Sequence, residues 1–203
     1  MAYPRRKVAG VLFFVAVTQF IIGLTITEAL YPGYSLSDNY VSDLGTGPYS
    51  IFFNSSAFLL GLLLIIGTYS LRHIPDLKTE NTMLFLMAIG AMGVGVFTKD
   101  FTVPHAAMAS IAFFFSGLAA IASAKVLKKP FSLIGIVLGA MTLGALGLYS
   151  AGIVTSGSIT SNIAYDSNFY LGLGPGGMER MIVYPALMWL AGFSGYLATQ
   201  QEK

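Results

Sequence analysis

The chain has 203 residues, of which 55% are hydrophobic and only 10% are charged, and its formal net charge is +2. Because about a quarter of the residues in a soluble domain are charged, this composition excludes a soluble globular protein and predicts a surface that lies mostly in lipid. Cysteine is absent, which excludes disulfides, thiolate nucleophiles and thiolate metal ligands. The basic residues form no tract suited to nucleic acid, so we expect no nucleic-acid partner.

Six apolar stretches follow one another along the chain, and each has about the 20 residues that a helix needs to cross a membrane. They cover residues 8–30, 51–71, 83–101, 104–126, 131–153 and 178–198. These stretches leave no room for a separate soluble domain. The sequence therefore predicts an all-α integral membrane protein, with residues 1–203 forming one domain, a six-transmembrane-helix bundle.

Lysine and arginine residues set the predicted orientation of these spans. Nine of the eleven lie at the chain ends or in the connections after the second and fourth spans: Arg5, Arg6, Lys7, Arg72, Lys78, Lys125, Lys128, Lys129 and Lys203. Only Lys99 and Arg180 fall on the other side. The positive-inside rule places the nine, and with them both termini, in the cytoplasm. We therefore expect a multi-pass protein of the cell membrane.

The predicted outer side has two long connections and most of the acidic residues. Six of the nine acids fall there: Glu28, Asp38, Asp43, Asp100, Asp166 and Glu179. Long loops on one face of a rigid bundle usually carry function, so we expect the functional site on this side. For Asp38 and Asp166, an exposed acidic rim is an equally good interpretation.

The first outer connection contains a candidate interfacial helix, and the second ends in a glycine-rich run. Residues 38–44 would form a short helix with Leu36, Tyr40 and Leu44 on one face. The run at 172–177 is not preceded by a strand, so it predicts a turn into the sixth span rather than a nucleotide site.

Glu179 and Arg180 open the predicted sixth span. An ionisable group at membrane depth is costly unless it is paired, and the dipole at a helix N-terminus does not favour a cation. Arg180 should therefore have an anionic partner. Two alternatives stay open: an ion pair with Asp43 or Asp100, or a ligand such as a lipid phosphate, which suits the guanidinium fork.

His105 follows Pro104 in the first turn of the predicted fourth span, where the helix dipole favours a neutral imidazole. Asp100 lies five residues earlier and could orient this ring for proton transfer; the alternative is an interfacial histidine with a structural hydrogen bond. One histidine among scattered carboxylates is a weak metal signature. The sequence therefore predicts no metal site, and it assigns no cofactor.

Three further polar residues are candidates. Ser42 would act as a nucleophile only if His105 reached it as a base, and a role as a cap or turn residue is the alternative. Gln19 and Asn54 lie inside spans, where hydrogen bonds between helices are the default interpretation. The fifth span is rich in small residues, which permit close packing: Gly135, Gly139, Gly144, Gly147 and Ala151.

Residues 37–45, with the sequence Ser-Asp-Asn-Tyr-Val-Ser-Asp-Leu-Gly, precede a span that contains Asn54. Together with His105 and the Glu179-Arg180 pair, this segment resembles the six-span prokaryotic membrane family known as domain of unknown function 998. The resemblance implies a six-span fold, no settled activity, and a distant similarity to the Frag/DRAM/Sfk membrane proteins, which are associated with lipid handling. The chain lacks the multiple histidines of alkaline-ceramidase and progestin-receptor-like hydrolases, which argues against a zinc amidase.

The leading hypothesis is a polar pocket at the outer interface that binds or processes a lipid head group or another amphiphile. Its lining would be Asp43, Asp100, His105, Glu179 and Arg180, with Asp38, Ser42 and Asn54 as further ligand contacts. Arg180 would hold an anionic group, and His105 with Asp100 would transfer protons.

Two alternatives belong to other classes of function. A transporter or channel for an ion or small solute would need a polar path from this pocket to the cytoplasm. A non-catalytic membrane partner subunit would turn the small residues of the fifth span toward lipid. Membrane lipids are the expected partners, and a second copy of the chain or another membrane protein is the alternative.

Overall fold

The structure is a computed structural model that describes residues 4–155 and 167–200. Within these ranges it contains six helices that are long and apolar enough to cross a membrane. They are α1 (Arg5–Leu30), α2 (Ser50–Leu71), α3 (Lys78–Val96), α4 (Thr102–Ala122), α5 (Phe131–Thr155) and α6 (Gly174–Thr199). The predicted all-α fold with six candidate spans is confirmed. Asp166 and Lys203 lie outside the described residues.

The helices form a ring in chain order. Each helix packs against the next one, and α6 returns to pack against α1. Gly10 of α1 lies against the backbone of Ser194 and Ala198 in α6, and this close approach is possible because glycine has no side chain. The start of α1 and the end of α6 thus meet at one end of the bundle. We call the opposite end, where α1 ends and α6 begins, the loop end.

The core is apolar and continuous through the ring. Phe13, Leu64, Leu84 and Leu190 are fully buried between α1, α2, α3 and α6. A smaller cluster at the loop end joins α5 and α6 to Tyr170, which belongs to a 3-10 turn shortly before α6.

The boundaries of α3 and α6 differ from the prediction. α3 begins at Lys78 and ends at Val96, whereas the apolar run covers residues 83–101. The polar first turn extends the helix beyond the apolar run, and the extended backbone of Phe97 ends it. α6 begins at Gly174, which is four residues earlier than predicted, with Pro175 in its first turn.

Small residues let α3 and α4 approach closely. A side chain at Gly90 would collide with the α4 backbone at Met108 and Ala112. The small residues of α5 divide into two groups. Gly135 and Gly139 pack against α4. Gly144 and Gly147 have open space instead of a neighbour.

Candidate functional site

The connection between α1 and α2 folds over the beginning of α6. The carbonyl of Ser37 accepts a hydrogen bond from the Gly176 amide at 2.8 Å, and the Ser37 hydroxyl donates to the Leu173 carbonyl at 2.9 Å. Gly174 has a φ of +73°, and a side chain at Gly176 would collide with the carbonyl oxygens of the connection. The glycine-rich run is thus a turn into α6, as predicted, and it also allows the connection to dock closely.

The predicted interfacial helix is replaced by a buried 3-10 turn, Val41–Gly45. Tyr40 and Leu44 are buried, whereas Leu36 is 55% exposed. The prediction of one shared apolar face is therefore wrong, because the turn packs inward against the core instead of lying flat on the surface. The Asp43 carboxylate accepts the Tyr40 amide hydrogen at 2.8 Å and so fixes the turn.

Arg180 joins α6 to α1 and to the connection. Its Nη2 donates to Glu28 Oε1 at 2.6 Å and to the Tyr34 hydroxyl at 2.7 Å. Its Nη1 donates to three backbone carbonyls, those of Leu36, Asn39 and Gly176. The prediction that Asp43 or Asp100 pairs with Arg180 is wrong, because the docked connection brings the guanidinium to Glu28 instead. Burial raises the pKa of Tyr34 well above its ordinary value, so this phenol stays protonated.

Asp43 pairs instead with Lys99, which precedes α4. The Lys99 ammonium contacts Asp43 Oδ1 at 2.5 Å and lies 4.3 Å from the centre of the Tyr40 ring. This ion pair ties the α3–α4 connection to the Val41–Gly45 turn. Burial raises the pKa of Tyr40 well above its ordinary value, so the ring beneath the ammonium is neutral.

His105 is oriented by a backbone carbonyl and not by Asp100. Its Nδ1 lies 2.8 Å from the carbonyl oxygen of Phe97, whereas Asp100 is exposed and bonds to Thr98 at 3.4 Å. The predicted His105–Asp100 pair is therefore wrong, because the helix ends at Val96 and leaves the Phe97 carbonyl free to accept. A carbonyl oxygen only accepts, so Nδ1 donates and Nε2 is left as an acceptor in the neutral ring.

Two cavities meet at His105. The first, which we call the rim cavity, has a volume of about 220 Å³ and is bordered by Tyr40, Lys99 and Tyr149. The second, the inner cavity, has a volume of about 80 Å³ and reaches between Phe20, Leu60, Met87 and Leu187. Five residues line both cavities: Ser42, His105, Ala109, Phe113 and Glu179. The two cavities are therefore adjacent and share these side chains as a common wall, with polar groups at the rim and an apolar interior.

Some of the predicted site residues meet beside these two cavities and others do not. Ser42, His105 and Glu179 line both, and Glu179 Oε2 accepts the Val41 amide hydrogen at 2.6 Å. Asp38 and Asp100 are exposed. Two other predicted residues stabilise the neighbouring structure: Arg180, through Glu28, and Asn54, which donates to the Gly45 carbonyl at 2.9 Å.

The sequence analysis missed Lys99, Tyr40 and Tyr149 as parts of the site. The sequence did indicate Lys99, since it is one of only two basic residues on the predicted outer side. Tyr40 lies in the segment that carries the family resemblance. For Tyr149 the sequence offers no comparable signal, because an aromatic residue near a helix end is common in membrane proteins.

A protein-family model described as "Protein of unknown function (DUF998)" matches residues 8–195. The match includes all of α2 to α5 and most of α1 and α6. Comparisons with the curated proteins and with the solved structures gave no match. The matched region also contains the residues that line both cavities.

Proposed function

Because this chain belongs to the DUF998 family, whose description states no activity, we propose a function from the geometry of its cavities: it is a membrane protein that binds an amphiphile. The polar head of the ligand lies in the rim cavity, near Lys99, His105 and Glu179. An apolar part of the ligand extends into the inner cavity. The proposal depends on one observation, the adjacency of a rim cavity with polar groups to an apolar inner cavity.

The chemistry of the two cavities supports this division. Pockets for small amphiphilic molecules are mostly apolar, with a few polar groups that fix the orientation of the ligand. Here the polar groups gather on one side, where Ser42, His105 and Glu179 line the shared walls. Beyond them, the inner cavity is enclosed by aliphatic and aromatic side chains such as Phe53 and Leu187. A molecule with one polar end and one apolar end matches both environments.

The position of the opening supports access from the membrane. The rim cavity is lined by Ala106 and Ser110 of α4 and by Ser150 of α5, all of which are exposed. These residues lie near the loop ends of helices long enough to span a bilayer. An amphiphile can therefore enter sideways, between α4 and α5, without leaving the lipid.

The other two hypotheses find less support. A pathway for a hydrophilic solute needs free polar groups below the rim cavity, but the Gln19 amide, which lies inside α1, donates to the carbonyls of Ala16 and Ser56. A partner subunit would use the open space at Gly144 and Gly147. That surface is compatible with amphiphile binding, so it does not compete with the proposal.

A cavity-filling substitution tests the proposal. In Ala109→Phe the new ring occupies the junction of the two cavities. The ligand would be an alkyl alcohol that carries a photoreactive diazirine in its chain, added to the protein in lipid nanodiscs. We expect mass spectrometry to find label on inner-cavity residues in the wild-type protein. We expect Ala109→Phe to lower that labelling about tenfold, as a loss of ~1.4 kcal/mol in binding free energy would.

Ala107→Phe is the matched control, because Ala107 lies on the same helix but is exposed. This variant should keep wild-type labelling of the inner cavity, and thermal unfolding should show that both variants are folded. Label spread evenly over the lipid-facing surface, or equal labelling in the two variants, would contradict the proposal.

A second candidate function, chemical processing of the bound head group, is favoured by the geometry of His105. The Phe97 carbonyl fixes Nδ1 as the donor, which leaves Nε2 as a base beside the cavity. The purified protein would be incubated with a total lipid extract, and lipid masses compared with those from His105→Gln. Processing predicts a mass change only with the wild-type protein. Identical lipid profiles would restrict the function to binding.

A further inference from the structure

We infer that the amphiphile carries a cationic head group, such as a primary amine or a quaternary ammonium. This inference rests on the proposed function, since it concerns the chemistry of the same site. Three features support it: the ion pairs that the acidic and basic groups at the loop end form, the position of Glu179, and the aromatic side chains around the rim cavity.

The ionisable groups at the loop end leave one carboxyl group without a cationic partner. Among the described residues, five buried or half-buried side chains there are acidic or basic: Glu28, Asp43, Lys99, Glu179 and Arg180. Arg180 is paired with Glu28 at 2.6 Å, and Lys99 is paired with Asp43. These two pairs are each neutral as a unit. The remaining acidic group is the Glu179 carboxyl, for which the described residues provide no ion pair.

Glu179 is placed to contact a ligand. Its side chain is buried and lines both cavities. The hydrogen bond that it accepts comes from a neutral backbone amide, that of Val41, so no cation of the protein is paired with it. A buried carboxyl group ionises at little cost only when it is paired, and a cation in the rim cavity would supply that partner.

Aromatic rings complete the surroundings of such a cation. Tyr40, Phe113 and Tyr149 line the rim cavity, and Tyr40 and Tyr149 meet edge to face with their centroids 5.9 Å apart. The faces of aromatic rings attract ammonium groups, especially where water is excluded. Lys99 shows this preference within the protein itself, because its ammonium lies over the Tyr40 ring. An ammonium head near Tyr149 and Glu179 would have the same kind of environment.

The inferred head group is positively charged, whereas the sequence predicted a negatively charged one. The sequence analysis assigned an anionic group to Arg180, but the terminal nitrogens of that side chain are occupied by Glu28, Tyr34 and backbone carbonyls. Arg180 also does not line either cavity. Lys99 does line the rim cavity, but its ammonium is already paired with Asp43. An anionic head there would also lie beside Glu179 and disfavour its ionised form.

Competition against the photoreactive alcohol tests the inference. The competitors share an octyl chain and differ only in their heads: octyltrimethylammonium, octanol and octyl phosphate. In wild-type protein in nanodiscs of neutral lipid, we expect octyltrimethylammonium to displace the probe at about one tenth of the octanol concentration, as a charge-assisted contact allows. Octyl phosphate should be the weakest competitor of the three.

Two variants assign the preference to Glu179. Glu179→Gln removes the charge but keeps an oxygen for the Val41 amide, and it should bring octyltrimethylammonium to the potency of octanol. Asp100→Asn is the matched control, because Asp100 is an exposed carboxylate at the same end of the bundle. It should leave the order of the three competitors unchanged.

The outcomes separate this inference from the proposed function. If the alcohol does not label the inner cavity of the wild-type protein, the proposed function fails and the inference fails with it. If the cavity is labelled but octyl phosphate competes best, or Glu179→Gln leaves the ammonium preference intact, only the inference is overturned. Should Glu179→Gln not fold, the order of competitors on the wild-type protein decides the question alone.

Discussion

Replacing Glu28 with alanine should lower the free energy of unfolding by about 3 kcal/mol, because it leaves the Arg180 guanidinium buried without its anionic partner. The two side chains meet at 2.6 Å, and only 7% of the Arg180 side chain and 19% of the Glu28 side chain are exposed. The partial exposure of Glu28 places the effect at the lower end of the range for buried pairs. Denaturant titration in mixed micelles would measure it.

Two comparisons make this result specific to the buried pair. The double variant Glu28→Leu with Arg180→Met should recover much of the lost stability, since apolar side chains can replace a buried ion pair at little cost. Asp76→Ala breaks the pair with Arg6, in which the Asp76 side chain is 74% exposed, and should cost less than about 1 kcal/mol. A loss for Glu28→Ala no larger than that for Asp76→Ala would show that Arg180 does not depend on Glu28.

Gly90→Leu should destabilise the protein by about 3 kcal/mol, because the new side chain would collide with the backbone of α4. The neighbours are the amide nitrogen of Ala112 and the carbonyl oxygen of Met108, neither of which can move without shifting the helix. Since α4 carries His105 and Ala109, this variant should also reduce labelling of the inner cavity. The measurements are the same denaturant titration and the same labelling assay.

Gly144→Leu is the control for this substitution, because Gly144 has no neighbour within 4 Å of an added Cβ. It also replaces a glycine with leucine, but in α5, and it should leave both stability and labelling close to wild type. Equal destabilisation by the two variants would show that the close contact between α3 and α4 is not the reason for the loss of stability.

The membrane fold could be predicted from the sequence because each span is a nearly continuous apolar run, and an isolated run of that length in lipid has to be a helix. The end of α3 could not be predicted in this way. Residues 97–101 include two phenylalanines, so hydropathy extends the span through them. The backbone instead turns at Phe97, and this turn supplies the carbonyl that holds His105.

The partners within the site could not be predicted because they depend on how the α1–α2 connection docks. Glu28 and Arg180 are separated by 152 positions, and nothing in local spacing relates them. The sequence correctly indicated that Ser42, His105 and Glu179 belong to one end of the bundle. It could not show that Arg180 is already paired with Glu28, and the prediction therefore assigned an anionic ligand group to this side chain.

The entry proposed between α4 and α5 would also set the concentration scale that the site responds to. A ligand that entered past the exposed residues Ala106 and Ser150 would come from the leaflet and not from bulk water, so occupancy would follow its mole fraction among the lipids. Adding bilayer at a fixed amount of ligand then dilutes the ligand, even though its total molarity is unchanged. An amphiphile that hardly dissolves in water can fill such a site, provided that it makes up a sufficient share of the surrounding lipid.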